Sequence, residues 1–355
     1  MRHYIRTEEF SVEELNELLK TANKICKNPK KYANKLKGKK LATLFYEPST
    51  RTRLSFESAM LDLGGSVIGF SDASNTSASK GESVADTTKI INCYADVIAM
   101  RHYLEGAPYV SSLNSNIPVI NAGDGSHCHP TQTLADLFTI YRKRGELSGI
   151  TVGLCGDLKN GRTVHSLIEA LSRYKNIHFV LIAPDELALP GHIEYSVPQE
   201  LNIKFTKISS LDEAIPMLDV LYMTRIQRER FDDIEEYERL KDSYILTADK
   251  LKTAKEDMIV LHPLPRVNEI SVAVDADPRA YYFEQARCGK FMRMALILKL
   301  LKEKNKAPRY TVDVTSTDGV CKNPKCITTT EQELCQKFYT DEKGVERCIY
   351  CDSAK

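Results

Sequence analysis

The chain has 355 residues, with 49 Lys and Arg against 48 Asp and Glu and a formal net charge of +1. Hydrophobic residues make up 42% and charged residues 27%, a globular composition long enough for two domains and a small appendage. Charge this balanced excludes a nucleic-acid or membrane footprint, and no apolar run approaches the roughly 20 residues of a bilayer span.

The first residues, Met1 to Arg6, lack the apolar core of a secretory signal, so a cytoplasmic location is expected. Residues 41–46 read as a buried strand, Pro48 breaks it, and residues 51–63 read as an amphipathic helix closed by Gly64 and Gly65. Between strand and helix stand Ser49, Thr50, Arg51, Thr52 and Arg53. A helix start aims unpaired N–H groups and a positive dipole end at one point, and hydroxyls with guanidinium groups there make a phosphate cradle. The same residues also suit a plain helix cap with two solvated arginines.

Further strands are expected at 66–70, 95–100 and 118–122, with helices at 83–94 and 130–144. A second alternating series places strands at 151–155, 178–183, 219–223 and 258–261, and a helix at 281–304. Such alternation implies an α/β protein with two doubly wound parallel-sheet domains, 1–146 and 147–304, the last helix closing the second series or returning to the first. A charged linker, 302–308, leads to a cysteine-rich tail.

Polar residues follow six of these strands. They are Ser49 to Arg53, Arg101-His102, His129-Pro130-Thr131-Gln132, Arg162, Thr224-Arg225-Ile226-Gln227 and His262-Pro263-Leu264-Pro265-Arg266. Ligands bind outside the carboxyl ends of strands in open parallel sheets, and six such clusters point to one large anionic site between the domains. His129 alone could be a helix-entry residue, His262 could satisfy a loop backbone, and Asp157 suits holding the loop before Arg162. Nothing marks Cys128 as an activated thiolate.

Five of the ten cysteines crowd into the last 35 residues, the pattern of a reduced protein with a local metal knot. Cys321-x4-Cys326 and Cys348-x2-Cys351 form a tetrathiolate zinc signature with no open position, so the metal is expected to be structural. Cys335 is left as a free thiol. A tail of about 47 residues is too small to hold a core alone, and metal binding would supply its folding energy. Its seven basic and eight acidic residues form no basic stripe.

Taken in order, these motifs resemble aspartate carbamoyltransferase from about residue 3 to 305. The first and third are shared with ornithine carbamoyltransferase, which usually carries Cys where this chain has Pro263. The loop 77–82 and the pair Arg225/Gln227 also point to aspartate. The alternatives are an ornithine-type enzyme or an inactive scaffold of the same fold. The resemblance implies that Ser49, Thr50, Arg51, Thr52 and Arg101 bind carbamoyl phosphate. Thr52, Arg101 and His129 would stabilise the oxyanion, while Gln132 and the Leu264–Pro265 segment orient the carbamoyl group. Arg162, Arg225 and Gln227 would hold L-aspartate. It further implies a homotrimer in which Ser77 and Lys80 of a neighbouring chain complete the phosphate site, Lys80 also meeting aspartate. The reaction needs no metal, organic cofactor or covalent intermediate. The tail resembles the zinc domain of the family's regulatory chain, here fused at residues 309–355 without the nucleotide-binding domain that normally precedes it.

Overall fold

A computed structural model describes residues 1–195, 197–226, 233–331, 333–341 and 343–355. They form two compact units, residues 1–131 with 290–355, and residues 132–289.

The first unit is built on four parallel strands, β1 (Lys40–Phe45), β2 (Ser66–Phe70), β3 (Val97–His102) and β4 (Val119–Asp124), in the order β2-β1-β3-β4. β1, β3 and β4 are almost wholly buried, as a parallel sheet covered on both faces demands, and mostly apolar residues supply that burial. The helices are α1 (Val12–Lys27), α2 (Thr50–Asp62), α3 (Val84–Asn92) and α4 (Ala107–Leu113), and α5 (Pro130–Arg144) starts here. A reciprocal Ser11–Glu14 capping box opens α1, whose Leu15, Leu18, Leu19, Ala22 and Ile25 form its buried stripe.

β3 runs two residues further than its apolar pattern suggested, so Arg101 and His102 are strand residues, with Arg101 opposite Phe45. The register against β4 slips between Met100 and His102. An irregularity of this kind turns a side chain away from the regular alternation, and here that residue is Arg101.

Five parallel strands form the second unit: β5 (Thr151–Cys155), β6 (His178–Ile182), β7 (Lys204–Lys207), β8 (Val220–Met223) and β9 (Ile259–Leu261), in the order β7-β6-β5-β8-β9. Its helices are α6 (Arg162–Leu171), α7 (Gly191–Glu194), α8 (Leu211–Ala214) and α9 (Ile234–Leu240), and α10 (Tyr282–Lys302) begins in it. From Lys290 onward α10 belongs to the first unit, where Lys290 Nζ lies 2.6 Å from Asp62 Oδ2 and Arg293 covers the Phe56 ring. Among the described residues no helix is long and apolar enough to cross a membrane.

The tail forms a hairpin of β10 (Phe338–Thr340) and β11 (Glu346–Cys348). Ile327, Phe338, Ile349, Tyr350 and the four paired cysteines share one apolar cluster with Leu104, Ala107 and Val110 of the first unit. Backbone bonds join the two: Glu105 N donates to Lys325 O at 2.8 Å and Ile327 N to Glu105 O at 2.9 Å. Gly106, at φ +88°, makes this approach possible, since a Cβ there would lie 2.7 Å from both the Cβ and the carbonyl oxygen of Tyr350.

Candidate active site

In the first unit β1 connects onward to β2 on one side, whereas its other neighbour β3 connects onward to β4 on the opposite side. The crevice beyond the carboxyl ends of β1 and β3 is therefore the topological switch point, where α/β sheets bind ligands. Ser49 is the N-cap residue of α2, but its side chain makes no capping hydrogen bond. The first-turn amides of α2 thus point out of the helix end without a side-chain cap from Ser49, the arrangement that suits an anion. Thr50 and Arg51 are exposed on that turn and Thr52 is buried.

Arg101 is buried, with Nη2 2.9 Å from Glu47 Oε2 and Nη1 3.5 Å from the Ala122 carbonyl. Gly123 at φ +118° brings it beside His129. A Cβ at 123 would meet Arg101 Nη1 at 2.8 Å and His129 Cδ2 at 3.3 Å, so a side chain at 123 would collide with Arg101 and crowd His129. Asp124 ties the intervening turn: Oδ1 accepts from Cys128 N at 3.1 Å, Oδ2 faces His127 Nδ1 at 2.9 Å, and Asp124 N donates to Cys128 O at 3.1 Å. Nearby, His102 stacks on Tyr103, and its Nδ1 accepts from Leu104 N at 2.9 Å. Burial pushes the His102 pKa down to about 4.

Ser77 and Lys80 are exposed on a short 3-10 turn (Ser77–Lys80), capped by Thr76 and ended by Gly81 at φ +93°. Among the described residues, no hydrogen bond or ion pair joins either side chain to the Ser49–Arg53 turn, Arg101 or His129.

The second unit repeats the geometry. Its switch point lies at β5, flanked by β6 and β8. Arg162 opens α6 after β5, Arg225 stands two residues past β8, and Leu264–Pro265 follow β9. Asp157 holds the loop ahead of Arg162, accepting from Asn160 N at 2.9 Å. Thr224 Oγ1 donates to the Cys155 carbonyl at 3.0 Å, fixing the base of Arg225 to the end of β5. Gln227 lies outside the described residues.

Gln132 and Leu264 are linked by one chain of hydrogen bonds. Gln132 Nε2 donates to Asp136 Oδ1 at 2.7 Å, and Gln285 Nε2 donates to the same oxygen at 2.6 Å. Gln285 Oε1 accepts from His262 N at 2.9 Å, and His262 Nδ1 accepts from Leu264 N at 2.7 Å. Tyr222 Oη donates to Asp136 Oδ2 at 3.0 Å; burial, then the Asp136 charge, holds that phenol well above its ordinary pKa. His262 Nε2 reaches Glu269 Oε1 at 2.7 Å, and Glu269 Oε2 accepts from the amides of Val267 and Asn268. Asp136, Gln285, Tyr222, Glu269 and Gly123 were not singled out from sequence. Only Asp136 carried a local signal, four residues after Gln132 on one helix face.

The four paired cysteines are buried and unoxidised, while Cys335 is exposed. Their sulfurs all lie within 4.8 Å of one another, with Cys321 and Cys351 at 3.6 Å and Cys326 and Cys348 at 3.8 Å. A tetrahedron with metal–sulfur bonds of about 2.3 Å has edges of about 3.8 Å, so the four thiols fit a tetrahedral ion such as zinc.

Residues 2–142 match the carbamoyl-phosphate-binding domain profile of aspartate/ornithine carbamoyltransferases, and residues 148–300 match their aspartate/ornithine-binding domain profile. The aspartate carbamoyltransferase catalytic subunit of Clostridium perfringens is 63% identical over 302 residues, 85% of this chain and 98% of the relative. This chain belongs to the aspartate carbamoyltransferase family. The catalytic subunit of Clostridium kluyveri is 59% identical over 300 residues, 84% of this chain and 98% of that one. Among solved aspartate transcarbamoylases, the catalytic subunit of the M. jannaschii enzyme is similar with a TM-score of 0.80 at 48% identity, covering 86% of this chain and all of that one. The Trypanosoma cruzi enzyme in complex with carbamoyl phosphate and aspartate has a TM-score of 0.79 at 39% identity, covering 84% and 96%. The family match covers the two sheets and ends before the tail, whose four-cysteine cluster suggests a metal site by its geometry alone.

Proposed function

We propose that the first-unit cluster holds carbamoyl phosphate and the second-unit cluster holds aspartate and orients the carbamoyl group. The activity is aspartate carbamoyltransferase, which forms N-carbamoyl-L-aspartate and phosphate in de novo pyrimidine biosynthesis. The observation that carries the residue assignment is that Arg101 and His129 both lie against Gly123, at the switch point next to the N-terminus of α2. The domains so assigned are 1–146 for carbamoyl phosphate, with helix 281–304 returning to it in part, 147–304 for aspartate, and 309–355 for the metal.

Ser49, Thr50, Arg51 and Thr52 cradle the phosphate, as hydroxyls and a guanidinium over a helix N-terminus do. The aspartate amine attacks the carbamoyl carbon, and the carbonyl electron pair moves onto oxygen. Thr52, Arg101 and His129 donate to that oxyanion, and one such donor is worth roughly 100- to 1,000-fold in rate. Gln132, locked by Asp136, and the Leu264 carbonyl with Pro265 orient the carbamoyl NH₂. Collapse breaks the carbon–oxygen bond to phosphate, and the departing phosphate takes the amine proton. Arg162, Arg225 and Gln227 bind the aspartate carboxylates, for which planar guanidinium groups are suited. Positioning both reactants supplies much of the barrier reduction without a covalent intermediate.

Cys321, Cys326, Cys348 and Cys351 hold a structural zinc, which supplies folding energy to the tail and no step of the reaction. The chain acts in the cytoplasm as a homotrimer, in which Ser77 and Lys80 complete the phosphate site of a neighbour and Lys80 also reaches aspartate. Their exposure, with no hydrogen bond or ion pair to this chain's own cradle among the described residues, supports that reading. The test is turnover with carbamoyl phosphate and either aspartate or ornithine. Arg225→Ala should chiefly raise KM for aspartate and Arg51→Ala should cripple carbamoyl phosphate use. Preference for ornithine would overturn the assignment.

A further inference from the structure

Two side chains of the tail act on the turn between β4 and α5, Asp352 directly at His127 and Asn323 through Glu105. Asn323 Nδ2 donates to Glu105 Oε2 at 2.6 Å, and the other oxygen of Glu105 accepts from Ser126 N at 3.1 Å. Asp352 Oδ2 lies 2.7 Å from His127 Nε2, while the other ring nitrogen of His127 lies 2.9 Å from Asp124 Oδ2. With a carboxylate on each nitrogen, both ring nitrogens of His127 donate. Asp352 is itself anchored, paired with Arg6 and accepting from Tyr339 Oη at 3.0 Å on its second oxygen. Glu105 and His127 are thus each shared between the tail and the 124–129 turn, at Ser126 and at Asp124. His129 is two residues beyond His127.

We infer that the tail is a positioning element for catalysis: Asn323 and Asp352, acting through Glu105 and His127, fix the turn that presents His129. This rests on the reading that His129 serves the oxyanion. A turn of six residues with only its own backbone bonds samples several geometries. Two external side-chain clamps reduce these to one, and an error of about 1 Å at a donor can cost on the order of 100-fold in rate. Docking therefore does more than bury apolar surface, and the tail contributes to turnover from outside the site.

The experiment compares full-length Asn323→Ala/Asp352→Ala, Asp352→Asn, His127→Gln and His129→Ala with the parent chain. Amide hydrogen exchange across 125–129 and the separate kcat and KM values are measured. The double variant and His127→Gln should speed exchange of the Ser126 and Cys128 amides by about tenfold or more, as local opening becomes easier. Their kcat should fall on the order of tenfold, with KM for carbamoyl phosphate nearly unchanged. Asp352→Asn should fall between the parent and the double variant, because its amide oxygen still accepts from His127 and its NH₂ can donate to Tyr339 while the charge facing Arg6 is lost. The Cys348 amide, which donates to Ser353 O at 3.0 Å, reports whether the tail remains folded. If the double variant loses that protection, His127→Gln decides, since it removes the clamp from the first-unit side. Unchanged exchange at 125–129, or faster exchange at unchanged kcat, would overturn the inference. A fully active His129→Ala would instead sink the oxyanion assignment, and the exchange data would still report whether the tail holds the turn.

Discussion

Asp136 is the residue whose loss should tell most about the second unit. It is fully buried and accepts from Gln132, Gln285 and Tyr222 at 2.7, 2.6 and 3.0 Å. Replacing it with Ala strands two donors that are themselves buried, Gln285 Nε2 and Tyr222 Oη. Each buried donor left without a partner costs about 1–3 kcal/mol, so Asp136→Ala should destabilise the unit by about 2–6 kcal/mol. At about 2–4 °C per kcal/mol for a unit of this size, its melting temperature should fall by roughly 4–24 °C. Asp136→Asn keeps an oxygen toward both glutamines and turns its NH₂ to the tyrosine oxygen, which can accept. It should cost less than about 1.5 kcal/mol, near the net worth of a single hydrogen bond. Melting followed by calorimetry separates the two variants, and kcat should fall with Asp136→Ala because Gln132 loses its anchor. Equal melting temperatures for Asp136→Ala and the parent would refute the network reasoning, as would an Asn variant as damaged as Ala.

Three further outcomes are expected. His102 has its pKa lowered by burial from 6.5 to about 4, so over that range the unfolded chain binds the proton that the folded chain refuses. Stability therefore rises with pH from about 4 to 6.5 and is lost as pH falls, by about 3 kcal/mol in all; an NMR titration showing His102 charged at pH 6 would contradict this. Elemental analysis should find one zinc per chain, lost in Cys326→Ser together with the protection of tail amides, whereas a metal-free parent with a folded tail would remove the metal from the account. Lys80→Ala and Arg51→Ala chains should each be nearly inactive, yet mixed and reassembled trimers should regain activity, because both lesions can fall in one site and spare another. No recovery despite proven subunit exchange would show that each chain builds its own site.

The cores of most strands were readable because each is a short apolar run ended by polar residues, and β5 matches its expected bounds from Thr151 to Cys155. β7 escaped because it is a mostly exposed edge strand, Lys204–Lys207, with no apolar run to announce it. The cationic and hydroxyl residues of the candidate site were readable from chemistry and position. What supports them was not. Asp136 meets Gln285 across 149 positions and His127 meets Asp352 across 225, and pairings at such separations exist only once the chain has folded. Gly123 looked like any loop glycine until its positive φ placed it under Arg101 and His129.

Gly106 sets a condition on how the sequence can drift. Its missing side chain is the space that the Tyr350 backbone occupies, more than two hundred positions away in the chain. An ordinary Gly→Ala exchange there would evict the tail without altering a residue of it, and would bare the apolar patch beneath. Variation at 106 is thus open only to chains that have already dispensed with the appendage. In a chain that keeps it, two segments separated by the whole second unit must be inherited as a matched pair.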